Sequence, residues 1–146
     1  NDSKYSNITP LILAANGGSY KATFTPPWTA NLWAQYDTPR FSGSDTYLSF
    51  RTDARWQSTM NINNNPSLPQ FHTYARGIDK TPDYWVFNAR VALKDLDLGG
   101  VKTELAAWGR NLADNKSANY GLDLAVVGGI NFIPARAYGL DLTISY

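Results

Sequence analysis

The sequence alternates apolar and polar positions with period two in five places, and helical periodicity is almost absent. In residues 28–37, Trp28, Ala30, Leu32, Ala34 and Tyr36 alternate with Thr29, Asn31, Trp33, Gln35 and Asp37. In 46–57, Leu48, Phe50, Thr52, Ala54 and Trp56 oppose Ser49, Arg51, Asp53, Arg55 and Gln57. In 84–94, Trp85, Phe87, Ala89, Val91 and Leu93 oppose Val86, Asn88, Arg90, Ala92 and Lys94. In 101–111, Val101, Thr103, Leu105, Ala107 and Gly109 oppose Lys102, Glu104, Ala106, Trp108 and Arg110. In 136–146, Tyr138, Leu140, Leu142, Ile144 and Tyr146 oppose Gly139, Asp141, Thr143 and Ser145. Successive side chains of a strand point to opposite faces, so the pattern predicts five strands, each with one apolar and one more polar side.

The charges obey the same parity. Arg51, Asp53 and Arg55 share one face, as do Arg90 and Lys94, and as do Lys102, Glu104 and Arg110; Asp37 and Asp141 fall on the polar side of their strands. No strand interior carries a charge on its apolar face. This exclusion points to hydrocarbon, where a mid-depth Lys or Arg costs roughly 2–4 kcal/mol. The strands are about 10–12 residues long, enough for a tilted strand to cross a bilayer.

The connections alternate in length. Those at 39–45 and 95–100 are short and rich in turn chemistry, whereas 61–83 and 112–135 are long, as is the leading stretch 1–27. Long structureless loops are uncommon in compact domains, but outer-membrane barrels pair short periplasmic turns with long extracellular loops. On that reading the C-terminus lies on the short-turn, periplasmic side. Trp28, Tyr36, Tyr47, Trp56, Tyr84, Trp85, Tyr138 and Tyr146 stand near strand ends, as interfacial aromatic belts require.

Composition changes this picture less than it first suggests. A chain of 146 residues with net charge +1 lacks the basic excess of a nucleic-acid binder. The absence of cysteine excludes disulfides, thiolate metal sites and cysteine nucleophiles. No apolar run approaches the ~18 residues of a transmembrane helix. A mean hydropathy of −0.36 suits a soluble β-sandwich ligand-binding module, which is the alternative reading. A lipid-facing parity averaged with a polar one and with long wet loops gives the same number. The chain opens at Asn1 without an initiator Met or a signal peptide, which suggests a fragment.

Residues 84–93 (YWVFNARVAL), 104–115 (ELAAWGRNLADN) and 134–139 (PARAYG), in this order and spacing, resemble the end of TonB-dependent outer-membrane receptors. Residues 84–93 (YWVFNARVAL) precede a short turn and then 104–115 (ELAAWGRNLADN), with Asn111, Leu112 and Asp114 in the positions of that family's Asn-Leu-x-Asp motif. Residues 134–139 (PARAYG) match the element that opens its last strand, which ends on an aromatic, here Tyr146 rather than the usual Phe. Residues 26–37 (PPWTANLWAQYD) are similar to an earlier strand of the family. Ala113 stands where an aromatic residue or Thr is usual.

The resemblance implies an all-β fold, an antiparallel transmembrane β-barrel segment supplying about five spanning strands of a larger barrel of about 22. It implies part of a receptor for active uptake of a scarce ligand (siderophore, vitamin, saccharide or similar) in the bacterial outer membrane. The partners it implies are the remainder of the barrel, a plug domain not present in this chain, the TonB complex acting through that plug, outer-membrane lipid and the barrel-assembly machinery. Tyr138, Leu140, Leu142, Ile144 and Tyr146 resemble the C-terminal signal read by that machinery. Ligand contacts in the family come mostly from plug apices and extracellular loops, which singles out Phe71, His72, Tyr74, Arg76, Tyr120 and Phe132. The charges Arg51, Asp53, Arg55, Arg90, Lys102, Glu104 and Arg110 would line the lumen and face the plug, as a salt-bridged hydrated wall.

No catalytic residues, cofactor or metal site are expected. His72 is the only histidine and lies in a Pro-bordered loop with no serine fixed beside it. Gly17-Gly18, Gly99-Gly100 and Gly128-Gly129 read as turn glycines, not as a phosphate-cradling loop. An outer-membrane barrel enzyme is therefore the weakest alternative.

Overall fold

The computed structural model describes residue 10 and residues 23–62, 80–123 and 128–145. Among the described residues, nine strands follow in chain order: β1 (Thr29–Asp37), β2 (Tyr47–Gln57), β3 (Met60–Asn61), β4 (Lys80–Thr81), β5 (Tyr84–Asp97), β6 (Lys102–Arg110), β7 (Ala118–Asp123), β8 (Gly128–Phe132) and β9 (Ala137–Ser145). The long strands form one five-stranded sheet in the order β1-β2-β5-β6-β9, and the two short pairs form separate two-stranded sheets. The chain divides into two compact units.

The first unit (Ala30–Arg55, Trp85–Asn115 and Ala135–Tyr146) contains the body of the five-stranded sheet. Every neighbouring pair whose register is defined here is antiparallel. Arg90 faces Trp108, which faces Gly139; Leu93 faces Leu105, which faces Leu142. The polar and apolar parities of β5, β6 and β9 therefore stack in rows across the strands. Val91, Ala107 and Leu140 share the apolar face, and Ala92, Ala106 and Asp141 share the polar one. Lys102 pairs with Ser145, so the C-terminal end of β9 lies at the end of the sheet that carries the short β5–β6 turn.

The sheet ladder stops at β1 and β9, so the barrel is not closed by these strands. Among the described residues its apolar face is uncovered: Leu140 is 78% exposed and Leu142 63%. Leu32, Tyr138 and Ile144 are exposed as well. A contiguous row of large exposed aliphatics is foreign to a water-facing surface and is what a lipid-facing strand presents.

The structure corrects the expected turn at 95–100. β5 runs on to Asp97 through an irregularity between Leu93 and Leu96, at which Asp95 takes a positive φ of 53°. The extra residue is a bulge, which re-aims the strand by one position. Leu96 consequently rejoins the apolar row opposite Thr103, and Asp97 faces Lys102. The reversal itself falls on Gly99 and Gly100, at φ 72° and 89°. Positive φ at both central residues defines the two-residue turn that matches strand twist, and glycine adopts it without strain.

The second unit comprises Asn1–Thr29, Trp56–Tyr84 and Lys116–Pro134. Here too the expectation of long structureless connections is corrected. Met60 and Asn61 pair with Thr81 and Lys80, and β7 pairs with β8 through Ala118↔Phe132 to Asp123↔Gly128. The hydrophobic core cluster of the described residues lies in this unit: Met60, a fully buried Ile62 and Ala118, with Ile130 packed against them. Gly121 lies so close that a Cβ there would stand 3.2 Å from the Ile62 carbonyl oxygen. Tyr84, expected in an interfacial belt, is only 4% exposed. Trp28 and Tyr138 are exposed, as a belt position requires.

The two faces of β9 give a direct test. Leu142→Arg should cost about 2–4 kcal/mol in a lipid bilayer, while Thr143→Arg, one residue on, should be near neutral. Reversible urea unfolding of the assembled receptor in lipid vesicles measures both.

Candidate functional site

The candidate site is the polar face of the five-stranded sheet, whose side chains are linked across strands. Arg90 on β5 donates to Glu104 on β6 at 2.6 Å and lies 3.6 Å from Asp141 on β9. Glu104 also meets Lys94 at 3.7 Å. The Trp108 indole N–H donates to Asp141 at 3.0 Å, and the Arg110 guanidinium lies 4.9 Å over the Trp108 ring. On β2, Asp53 accepts from the Asn88 amide at 2.6 Å, and Arg51 lies 5.8 Å over the Trp33 ring on β1. Asp37 accepts from the Ser49 hydroxyl at 2.5 Å. Partly hydrated pairs of this kind are each worth at most about 1 kcal/mol; their larger effect is to fix which face is polar. Among these residues the sheet forms a cavity of about 450 Å³ bordered by Arg51, Asp53, Asn88, Arg90, Arg110 and Asp141.

Lys102 belongs to a different arrangement. At the start of β6, it donates to Asp45 in the β1–β2 turn at 2.8 Å. This hydrogen bond, with the charges of Lys102 and Arg40, holds the Asp45 carboxyl below its usual range. A lowered folded value means that the contribution is present above the ordinary carboxylate pKa and fades as pH falls through the folded one.

The segment after β6 is a structured turn. Asn111 takes φ 49° and Asp114 φ 51°. The Asn111 backbone N–H donates to Asn88 Oδ1 at 3.0 Å, and its side chain exchanges two bonds with the Asn115 backbone. Leu112 N–H donates to the Phe87 carbonyl at 2.9 Å, returning the chain to β5, and Asp114 lies 3.8 Å from Arg136. Asn and Asp tolerate positive φ better than other non-glycine residues, which accounts for their placement here.

Two cross-strand pairs hold β6 to β9 by complementary shape. Trp108 faces Gly139 and Gly109 faces Tyr138. The Trp108 ring fills the space above Gly139, where any Cβ would overlap it, and the Tyr138 ring closes on Gly109 from the opposite side of the sheet. An aromatic covering a glycine in this way removes exposed strand backbone.

The expected ligand-contact residues divide. Phe71, His72, Tyr74 and Arg76 lie outside the described residues. Tyr120 on β7 is exposed and stacks on Phe24, centroids 4.6 Å apart, and Phe132 at the end of β8 is exposed. Of the expected terminal signal, Tyr138, Leu140, Leu142 and Ile144 share the apolar face of β9, and Tyr146 lies outside the described residues. Of the expected lumen charges, Arg90 and Glu104 are joined directly; Arg51, Asp53 and Arg110 border one cavity with Arg90, while Lys102 turns to Asp45. Arg55 is an exposed residue of β2 that does not border this cavity.

Residues 2–112 match the family model described as TonB dependent receptor-like, beta-barrel. The chain belongs to this TonB-dependent receptor β-barrel family. Neither the comparison with curated proteins nor that with solved structures gave a match. Membership places the chain among outer-membrane receptor barrels, a class of transporters rather than enzymes. The matched range also covers the leading stretch before Pro26, which the short motifs leave out, and ends at Leu112. The assignment of β9 to this TonB-dependent barrel therefore rests on its own motif and on its register with β6.

Sequence reasoning missed Asn88, which ties Asp53 to the turn after β6, and Trp108 as the partner of Asp141. Polar-face parity marks both positions, but only the cross-strand register shows what they touch. The Trp108–Gly139 fit predicts that Gly139→Ala destabilises the assembled barrel by about 1–3 kcal/mol through overpacking. Gly129→Ala, at a position open on all sides, should change it little. The midpoint of the heat-induced mobility shift on gels reports both.

Proposed function

We propose that this chain is a C-terminal barrel segment of an outer-membrane receptor that takes up a scarce solute with energy supplied through TonB. The observation that carries the reading is the opposite chemistry of the two sheet faces, apolar and exposed on one, ion-paired across three strands on the other. Unpaired backbone at β1 and β9 cannot face lipid, so further strands, on this polypeptide or another chain, close the barrel. A plug domain fills its lumen and carries the contact with TonB. The C-terminus is periplasmic, at the short-turn end of the sheet. The assembly signal is formed by Tyr138, Leu140, Leu142 and Ile144 of β9 together with Tyr146, the last residue of the sequence.

Ligand contacts in this reading come from the long connections: Phe71, His72, Tyr74 and Arg76 between β3 and β4, and Tyr120 and Phe132 on β7 and β8. The charges Arg51, Asp53, Arg55, Arg90, Lys102, Glu104 and Arg110 form the lumen wall toward the plug. The ligand class is open among siderophores, vitamins and saccharides, which share this scaffold. A soluble β-sandwich would need a second layer over the apolar row, and among the described residues Leu140, Leu142 and Ile144 are uncovered.

Growth on limiting nutrients tests the proposal. Cells carrying the intact receptor should outgrow receptor-deleted cells on one scarce iron chelate, cobalamin or oligosaccharide, and the advantage should vanish when TonB is deleted. An advantage that persists without TonB would indicate a passive pore and contradict it.

A further inference from the structure

Among the described residues, five cations of the polar face fall into two kinds. Arg90, Lys94 and Lys102 each meet a carboxylate within 4.0 Å. Arg51 and Arg110 meet none among the described residues; each lies instead over an indole, Trp33 at 5.8 Å and Trp108 at 4.9 Å. A guanidinium held over a ring still carries N–H groups that can pair bidentately with an oxyanion. The ring contact also restrains the side chain beforehand, which lowers the entropy lost on binding.

Both arginines border the same cavity of about 450 Å³. That volume lies within the roughly 300–1,000 Å³ of small-molecule sites. Three guanidiniums, with Arg90 the third, border it against two carboxylates, Asp53 and Asp141. Both carboxylates are already engaged: Asp53 accepts from Asn88, and Asp141 from Trp108 with Arg90 close by. A second depression of about 280 Å³ borders Arg51, Arg90 and Lys94 and is lined by no carboxylate. Among the described residues, the unmet demand on this wall is thus for negative charge, at Arg51 and Arg110.

We propose that Arg51 and Arg110 form an oxyanion site on the sheet's polar face for a small solute bearing two carboxylate or phosphate groups. In the transport reading on which its location depends, this is a way-station on the lumen wall that selects anionic solutes. Arg90 supplies background positive potential while held by Glu104. Trp33 and Trp108 are positioning residues.

Isothermal titration of the complete receptor in detergent, with glutarate as probe and acetate as the monoanion, tests the site. Glutarate should bind saturably and acetate at least about tenfold more weakly. Arg51→Gln and Arg110→Gln should each weaken glutarate binding by at least about tenfold, as loss of a charged hydrogen-bond pair implies. Arg110→Lys, which keeps the charge and loses the fork, should fall between, and Arg40→Gln in the β1–β2 turn should bind as the parent does. Unchanged glutarate affinity in both Gln variants, or no glutarate binding to the intact receptor, overturns the proposal. If the receptor binds no glutarate and the Gln variants lower its thermal stability, an acidic protein segment occupies the site, which overturns the solute as well. The heat-induced mobility shift is scored separately: its absence in the parent contradicts the barrel, while the Arg51 and Arg110 titrations still decide the site.

Discussion

In the hydrocarbon of a bilayer, no water is present to satisfy a backbone N–H or C=O, so a spanning sheet must pair every strand and turn one whole face to lipid. The architecture described here depends on that constraint. It accounts for a sheet whose aliphatic row is uncovered while its charges share the opposite face. It accounts for the bulge at Asp95, which adds a residue and yet returns Leu96 to the apolar row and Asp97 to the polar one. It is consistent also with the hydrophobic core cluster of the described residues, around Ile62, belonging to the second unit. A sheet bathed in lipid has no need of an apolar core of its own, whereas the connections that meet water do.

The polar face follows from the same geometry. Side chains directly opposite on neighbouring strands lie about 4.5–5.5 Å apart, close enough to pair. Charges confined to one parity therefore meet one another, and Arg90 between Glu104 and Asp141 is the clearest instance. Such pairs in a hydrated wall add little stability. The backbone ladder and the aromatic–glycine fits at Trp108–Gly139 and Tyr138–Gly109 hold β6 to β9. The ion pairs instead shape the electrostatics of the wall, leaving two arginines, each over an indole ring, with no carboxylate partner among the described residues.

Much of this was legible in the sequence because a strand writes its two faces in alternate residues. The five strands and the sidedness of Arg51, Asp53, Arg90, Glu104 and Arg110 follow from that parity alone. Other features depend on information that parity does not contain. The bulge at Asp95 is a backbone event, invisible in a polar stretch already rich in turn residues. The pairs Met60–Thr81 and Ala118–Phe132 are too short to show alternation and are set by packing around Ile62. The stack of Phe24 on Tyr120 joins residues 96 positions apart, a partnership that no local pattern signals. Which arginines would find a carboxylate and which an indole depends on register, and register emerges only when strands are paired.

The central claim is that the two faces of the sheet see different solvents. The chain has no cysteine, so a single cysteine placed at each β9 position from 137 to 145 is unique within it; with any cysteine elsewhere in the complete receptor replaced by serine, the protein is spin-labelled and reconstituted in lipid. Collision rates with oxygen, which concentrates in hydrocarbon, and with a water-soluble nickel chelate then report each side chain's surroundings. Oxygen access should peak at 138, 140, 142 and 144, and nickel access at 137, 139, 141, 143 and 145. Uniform access along the strand, or nickel access at the leucine positions, would contradict the account.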